Sequence, residues 1–168
     1  MNDFPELLPE EIIERASKLE VSQLCDGMKE LKIAHSGCLD ARISPIDPSF
    51  KVVGTAMTVE TSDGDNFPIH VATYTAPRPG YVMVIDGKGY EGAAYLGDKI
   101  MGACKVLGYK GVVIDGYTRD RSGTIEMQFP VFSKGLMPAG PIKKNPGKIN
   151  ETIYCGNVMV DPGDLVCG

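Results

Sequence analysis

A chain of 168 residues with 43% hydrophobic content is long enough for one domain with a core of its own. A formal net charge of −5 and a pI near 5.0 exclude a nucleic-acid binder that works through a broad basic surface, but leave room for a small anion held by one or two local cations. No stretch approaches the roughly 20 apolar residues of a membrane-spanning helix, and the acidic start "MNDFPELLPEEIIER" has no apolar leader core, so a cytoplasmic protein with no membrane partner is expected.

Residues 9–20 place Ile12, Ile13, Ala16 and Leu19 at helical spacing behind acids in the first turn. Ser22 is positioned to cap a second helix, "SQLCDGMKEL", with Leu24, Met28 and Leu31 on one side. Residues 37–50 read as loop, 51–60 ("KVVGTAMTVE") as a strand, 61–66 ("TSDGDN") as a polar turn, and 67–74 as a short helix.

Two strand–helix units follow. The tetrapeptide VIDG occurs twice, ending apolar runs at 81–86 and 111–115. Between them, 92–107 carries Leu96, Ile100, Cys104 and Leu107 on one helical face. A strand–helix–strand of this length is a βαβ unit with parallel strands, so the two VIDG segments are equivalent strand ends. Gly92, Gly97 and Gly102 lie inside the helical stretch, each costing roughly 1 kcal/mol against Ala. They point to close packing, to a helix that starts only near Gly97, or to a ligand approaching backbone N–H groups at Gly97. Beyond Asp120 short strands are expected at 131–134, 152–160 and 164–167, with "DPGD" as a turn in which Asp164 is a turn acid.

In open α/β sheets, ligands gather beyond the C-terminal ends of parallel strands. Arg119 and Asp120 lie just past the second VIDG, and Asp98 lies at the start of the helix after the first, with 20 residues between it and Arg119. Two carboxylates and one guanidinium suit a hard divalent cation and an anionic oxygen substrate. The competing reading is a surface salt bridge between Arg119 and either acid. His35 and His70 are too isolated for a zinc site, and His70 reads as a solvated helix residue. Asp65 and Asn66 are turn formers first, "GKGYEG" is neither a dinucleotide fingerprint nor a P-loop, and five cysteines without a C-x-x-C argue against a zinc cluster or disulfide framework. Cys104 and Cys155, in apolar stretches, read as small core residues.

"DGKGYEGAAYLGD" followed by "GVVIDGYTRD" resembles the regulator-of-ribonuclease-activity-A-like family, which includes class II 4-hydroxy-4-methyl-2-oxoglutarate / 4-carboxy-4-hydroxy-2-oxoadipate aldolases. The family's D-x20-R-D hallmark is matched by Asp98, Arg119 and Asp120, with support from "SQLCDGM", "GTAMTVE", "GDN", "PRPGYVMVIDG", "FPVFSKG" and "PGDLV". The resemblance implies a single domain, with a core over 22–168 and a helical appendage over 1–21. Its fold would be a layered α/β sandwich similar to swivelling phosphohistidine-type domains, with a βαβ core, assembled as a homotrimer or a dimer of trimers. It implies that Asp120 binds Mg2+ or Mn2+, that Asp98 holds a metal-bound water, and that Arg119 binds the pyruvyl unit and stabilises its enolate. Gly97, the backbone amides of Lys99 and Ile100, and Asn66 would complete the substrate site. The implied activity is retro-aldol cleavage of a small 2-oxo acid to pyruvate, or oxaloacetate decarboxylation; the alternative is a non-catalytic regulator that binds an RNA-processing enzyme. A methyltransferase assignment sometimes attached to the family finds no methyl-donor motif here. The sequence departs from the pattern at Gly123, where many members carry an acid, and at its end, where aldolase members continue into a helix whose acid reaches a neighbouring subunit. These departures predict weaker retro-aldol cleavage than decarboxylation.

Overall fold

The apolar runs of the sequence assemble into a mixed sheet whose centre is parallel. The computed structural model describes residues 2–33 and 37–168, and His35 lies outside them. In chain order the elements are helices α1 (Glu10–Ala16) and α2 (Val21–Glu30), strands β1 (Ser44–Pro45) and β2 (Val53–Glu60), helix α3 (Phe67–Thr75), strands β3 (Tyr81–Asp86) and β4 (Ala94–Leu96), helix α4 (Asp98–Val106), strands β5 (Gly111–Ile114) and β6 (Tyr117–Thr118), helix α5 (Arg121–Glu126), and strands β7 (Val131–Ser133), β8 (Gly135–Leu136), β9 (Lys148–Ile149), β10 (Ile153–Cys155), β11 (Val158–Val160) and β12 (Leu165–Cys167).

The main sheet runs β1-β7-β5-β3-β2-β12, with β9 also paired to β2. Strands β2, β3, β5 and β7 are mutually parallel, and β1 and β12 close the two edges antiparallel. The two VIDG runs are therefore adjacent parallel strand ends, as their shared sequence suggests. Alternate side chains divide between two cores. Met57, Val59, Met83, Ile85, Val112 and Ile114 face α3 and α4, where Ile69, Ala72, Met101 and Cys104 meet them. Ala56, Val82, Val84, Val113 and Phe132 face the β10–β11 hairpin through Ile153, Cys155 and Val160. The result is an α/β fold layered on both faces of the sheet.

Three elements differ from the expectation. The helix expected over 92–107 is divided: Ala94, Tyr95 and Leu96 are all buried and form β4, which pairs with β6, and the helix begins only at Asp98 behind Gly97. A segment buried on every side pairs better as a strand than as an amphipathic helix. The second helix starts two residues earlier than a capping Ser22 implies. Its N-cap is Glu20, in a capping box where the Glu20 N–H donates to Gln23 Oε1 at 2.8 Å. The strand expected at 152–160 is a hairpin, because Gly156 and Asn157 both take positive φ and turn the chain.

Strands β4, β6 and β8 form a second, small parallel sheet. Each follows a main-sheet strand (β3, β5 and β7), so the chain crosses from one sheet to the next three times at the same edge. The VIDG repeat makes those crossings possible. A Cβ on Gly87 would lie 2.6 Å from the Asp115 carbonyl oxygen and 3.0 Å from the Tyr95 ring, and one on Gly116 would lie 2.9 Å from the same ring. Both glycines thus wrap one buried aromatic. The aspartates are strand-end structural acids: Asp86 pairs with Lys88 at 2.5 Å, and Asp115 pairs with Lys134 and accepts the Gly156 N–H at 3.0 Å.

The segment before α1 lies along the sheet. The Leu8 N–H donates to Thr55 Oγ1 at 2.9 Å, the Tyr81 hydroxyl donates to the Pro5 carbonyl at 2.7 Å, and the Phe4 ring packs on Tyr81 with centroids 5.8 Å apart. Among the described residues no helix is long and apolar enough to cross a membrane.

Candidate active site

Asp98, Arg119 and Asp120 come together where β4 and β6 deliver the chain into α4 and α5. Because β4 pairs with β6, and the Arg119 N–H donates to the Leu96 carbonyl at 2.9 Å, the two helix starts are held side by side. Asp120 sits in the left-handed region at φ 57°, ψ 43°, which an aspartate tolerates better than most residues. This conformation turns its carboxylate away from capping α5. Asp120 Oδ2 instead lies 3.3 Å from Arg119 Nε and accepts the Asp98 N–H at 3.4 Å. The salt-bridge reading of Arg119 and Asp120 is therefore also correct, and the partly exposed pair lines an open cleft.

That cavity has a volume of about 310 Å³, and every site residue expected from the sequence lines it: Asn66, Gly97, Asp98, Lys99, Ile100, Arg119 and Asp120. Gly97 is the N-cap of α4 and has no side chain to cap it, so beyond the Asp98 N–H that Asp120 takes, the N–H groups of Lys99 and Ile100 are left to a ligand. The absent Cβ is also spatially required. An alanine there would collide with Asp120 Oδ2 and come within 3.1 Å of Arg119 Nε. Gly140 has the same role on the opposite wall, where a Cβ would stand 3.1 Å from Arg119 Nη1. Asn66 is buried; its amide donates to the Tyr95 carbonyl at 2.9 Å, and its Oδ1 has no hydrogen-bond partner within the chain. Such an unpaired buried acceptor is costly unless a ligand or water supplies a donor.

Sequence reasoning missed the far wall, formed by His70, Pro141 and Lys143. His70 is half-buried on α3 rather than solvated, and burial together with the nearby Lys143 charge lowers its pKa from the ordinary imidazole value, favouring the neutral ring. Lys143 and Pro141 arrive on a strap, residues 138–147, tied down by "GDN". The Asn66 N–H donates to the Ile142 carbonyl at 3.0 Å, and the Ile142 N–H donates to the Gly64 carbonyl at 2.8 Å. Asp65, fully buried, accepts the N–H groups of Phe67, Lys144 and Asn145 at 2.9, 2.9 and 2.8 Å. Burial raises its pKa, but those three donors outweigh it and leave the carboxyl below its ordinary range. The only sequence signal for this clamp was an acid in a turn whose partners lie about 80 residues away.

Among the described residues no three His, Cys, Asp or Glu side chains surround a point that could hold a metal. A cation at this site would have Asp98 and Asp120 as its carboxylates, which is the sparse set that suits Mg2+ rather than zinc. Gly97 keeps the space between them open.

The RraA-like family, described as Aldolase/RraA, matches residues 21–168, and the chain belongs to it. It is 42% identical over 130 residues to a Halalkalibacterium halodurans protein named "Putative 4-hydroxy-4-methyl-2-oxoglutarate aldolase", an alignment spanning 77% of this chain but only 61% of that protein. It is also 36% identical over 151 residues to a Methanocaldococcus jannaschii protein, MJ0644, covering 88% of this chain and 68% of the other. Among solved structures, Streptomyces coelicolor RraAS2 superposes with a TM-score of 0.82 at 23% identity, covering 96% of this chain and 82% of that one. The Thermus RNA-processing inhibitor RraA superposes at 0.76 and 21%, covering 89% and 87%. These two likenesses establish the shared fold.

Proposed function

We propose that this protein is a divalent-cation-dependent lyase for small 2-oxo acids, cleaving them to pyruvate. The observation that carries the reading is the convergence of Arg119, Asp120, Asp98 and an uncapped helix start on one cavity. The naming of the bacterial relatives as aldolases supports it.

Each group has a role set by its chemistry. The uncapped N–H groups of Lys99 and Ile100 receive the substrate carboxylate at the positive end of α4. The Arg119 guanidinium, oriented by Asp120, stabilises the negative charge that builds on the 2-oxo oxygen as the C3–C4 bond breaks and its electron pair enters the enolate. The other fragment leaves as CO2 from oxaloacetate or, once the C4 hydroxyl has given its proton to water, as the second 2-oxo acid. Asp120 directly, and Asp98 through a bound water, would hold Mg2+ or Mn2+, which would supply Lewis-acid polarisation of the same oxygen. The Asn66 Oδ1 acceptor fits a substrate hydroxyl or an ordered water. The enolate then takes a proton to give pyruvate.

The deciding assay follows pyruvate release from oxaloacetate with Mg2+, and again with a chelator. Turnover well above that of free Mg2+, and lost on chelation, is expected. Absence of any protein-dependent rate would overturn the reading and favour a regulator that docks on an RNA-processing enzyme. Arg119→Ala and Asp120→Ala should each lower kcat/KM by about 100-fold or more with the fold retained.

A further inference from the structure

Away from this cavity, Cys25 on helix α2 and Cys38 in the loop segment beyond it bring together a pair of sulfurs that the proposed reaction does not use. Cys25 Sγ and Cys38 Sγ lie 2.8 Å apart, although 13 residues separate them in sequence. Cys25 is half-exposed on α2 and Cys38 is exposed. The other three cysteines are placed differently. Cys104 and Cys155 are fully buried, with burial pushing their thiols up to about 11 and about 12, and Cys167 is half-buried on the edge strand β12. Reactive thiols are accessible ones, and a deeply buried thiol with a raised pKa is inert.

We propose that Cys25 and Cys38 form a reversible dithiol–disulfide site that reacts with low-molecular-weight disulfides. The reaction is thiol–disulfide exchange. The thiolate of Cys38, the more exposed of the two, attacks one sulfur of the small disulfide. This forms a mixed disulfide and releases one small thiol. Cys25 then loses its proton to solvent and attacks Cys38 Sγ, closing the intramolecular bond and releasing the second thiol. The pair gives up two electrons and two protons, and the small disulfide is reduced to two thiols. The hydrogen bond to Cys38 raises the Cys25 pKa and keeps it protonated until that second step.

The two ends of this link differ in how firmly they are held. Helix α2 has no fully buried residue. Cys38 immediately precedes a fixed segment: Leu39 packs against the core of the hairpin face, the Asp40 N–H donates to the Gly156 carbonyl at 2.9 Å, and the Asp40 carboxylate is 2.6 Å from Arg42 Nη2 and 3.9 Å from Lys134. Oxidation would therefore fasten a loosely attached helix to a rigid part of the molecule without touching the active-site cavity.

The test treats the full-length reduced protein with oxidised glutathione and maps its tryptic peptides by mass spectrometry. One cross-linked species joining peptides 19–29 and 33–42, two hydrogens lighter than their sum and released by dithiothreitol, is expected. Cys25→Ser should instead trap glutathione on Cys38. The oxidised wild type should resist limited trypsin cleavage after Lys29 at least several-fold better than the reduced form. Separate glutathione adducts on Cys25 and Cys38 in the wild type, or thiols that remain alkylatable after treatment, would overturn the proposal.

Discussion

At the scale of single residues, the site depends as much on missing side chains as on those present. Gly97→Ala should fold, because the atoms in the way belong to side chains that can shift, but its methyl group would displace the Asp120 carboxylate and crowd Arg119. We expect pyruvate formation to fall by about two orders of magnitude with little change in melting temperature, measured on the same preparation. Gly123 is the reverse case. A Cβ there would meet Asp98 Cβ at 3.4 Å and Oδ2 at 3.6 Å, which is ordinary contact. Gly123→Asp should therefore be tolerated and place a third carboxylate beside Asp98. Isothermal titration should then show tighter Mg2+ binding by several-fold than in the wild type. The positions of Asp98, Arg119 and Asp120 were legible because the βαβ pattern fixes which strand ends are neighbours. The His70–Lys143 wall was not, since it depends on hydrogen bonds between segments about 80 residues apart with no periodic pattern to reveal them.

At the scale of elements, Asp65 joins the start of α3 to the strap. Asparagine at this position offers one acceptor oxygen where the carboxylate offers two, so at least one of the three backbone donors loses its partner. Asp65→Asn should cost about 2 kcal/mol in denaturant unfolding and raise KM more than it lowers kcat, because the strap carries Pro141 and Lys143 rather than the reacting groups. Its pH dependence has a definite sign. The folded-state pKa of Asp65 lies below its ordinary value of 3.8, so its stabilisation is present above that value and is lost as pH falls through the folded pKa. Asp40 and Asp47 shift in the same direction. The part due to Asp65 is therefore the difference between wild type and Asp65→Asn, which should shrink as pH falls below about 4 in urea titrations. The glycines of the 92–107 stretch signalled an interruption, and a helix starting near Gly97 was one of the readings they allowed. Periodicity could not show that 94–96 pairs with β6, because three consecutive apolar residues fit a helix face and a short buried strand equally well.

At the scale of the whole molecule, parallel strands β2, β3, β5 and β7 were readable from four apolar runs separated by helices or turns. The edge strand β12 was also expected, at 164–167, but β1, β8 and β9 were not, because they are only two residues long and exist through pairing alone. The N-terminal segment is another feature that only the fold reveals: Phe4 and Leu7 pack against the helix-face core. Phe4→Ala combined with Leu7→Ala should destabilise the entire domain by about 2 kcal/mol, counting each as a half-buried side chain. A single cooperative transition at lower denaturant would show that the segment belongs to the folding unit. An unchanged midpoint would show that it does not.

The two VIDG glycines that enclose Tyr95 also constrain how the sequence can drift. At Gly116 the closest obstacle to a methyl group is the Tyr95 ring itself, at 2.9 Å, whereas at Gly87 it is the backbone carbonyl of Asp115, at 2.6 Å. Alanine at 116 should thus become cheaper once the ring is truncated, giving a favourable coupling energy in a double-mutant cycle with Tyr95→Ala. Alanine at 87 should stay as costly in either background. One half of the repeat is held by a side chain that a second substitution can remove, and the other by the backbone, so the two copies of the same four letters differ in evolvability.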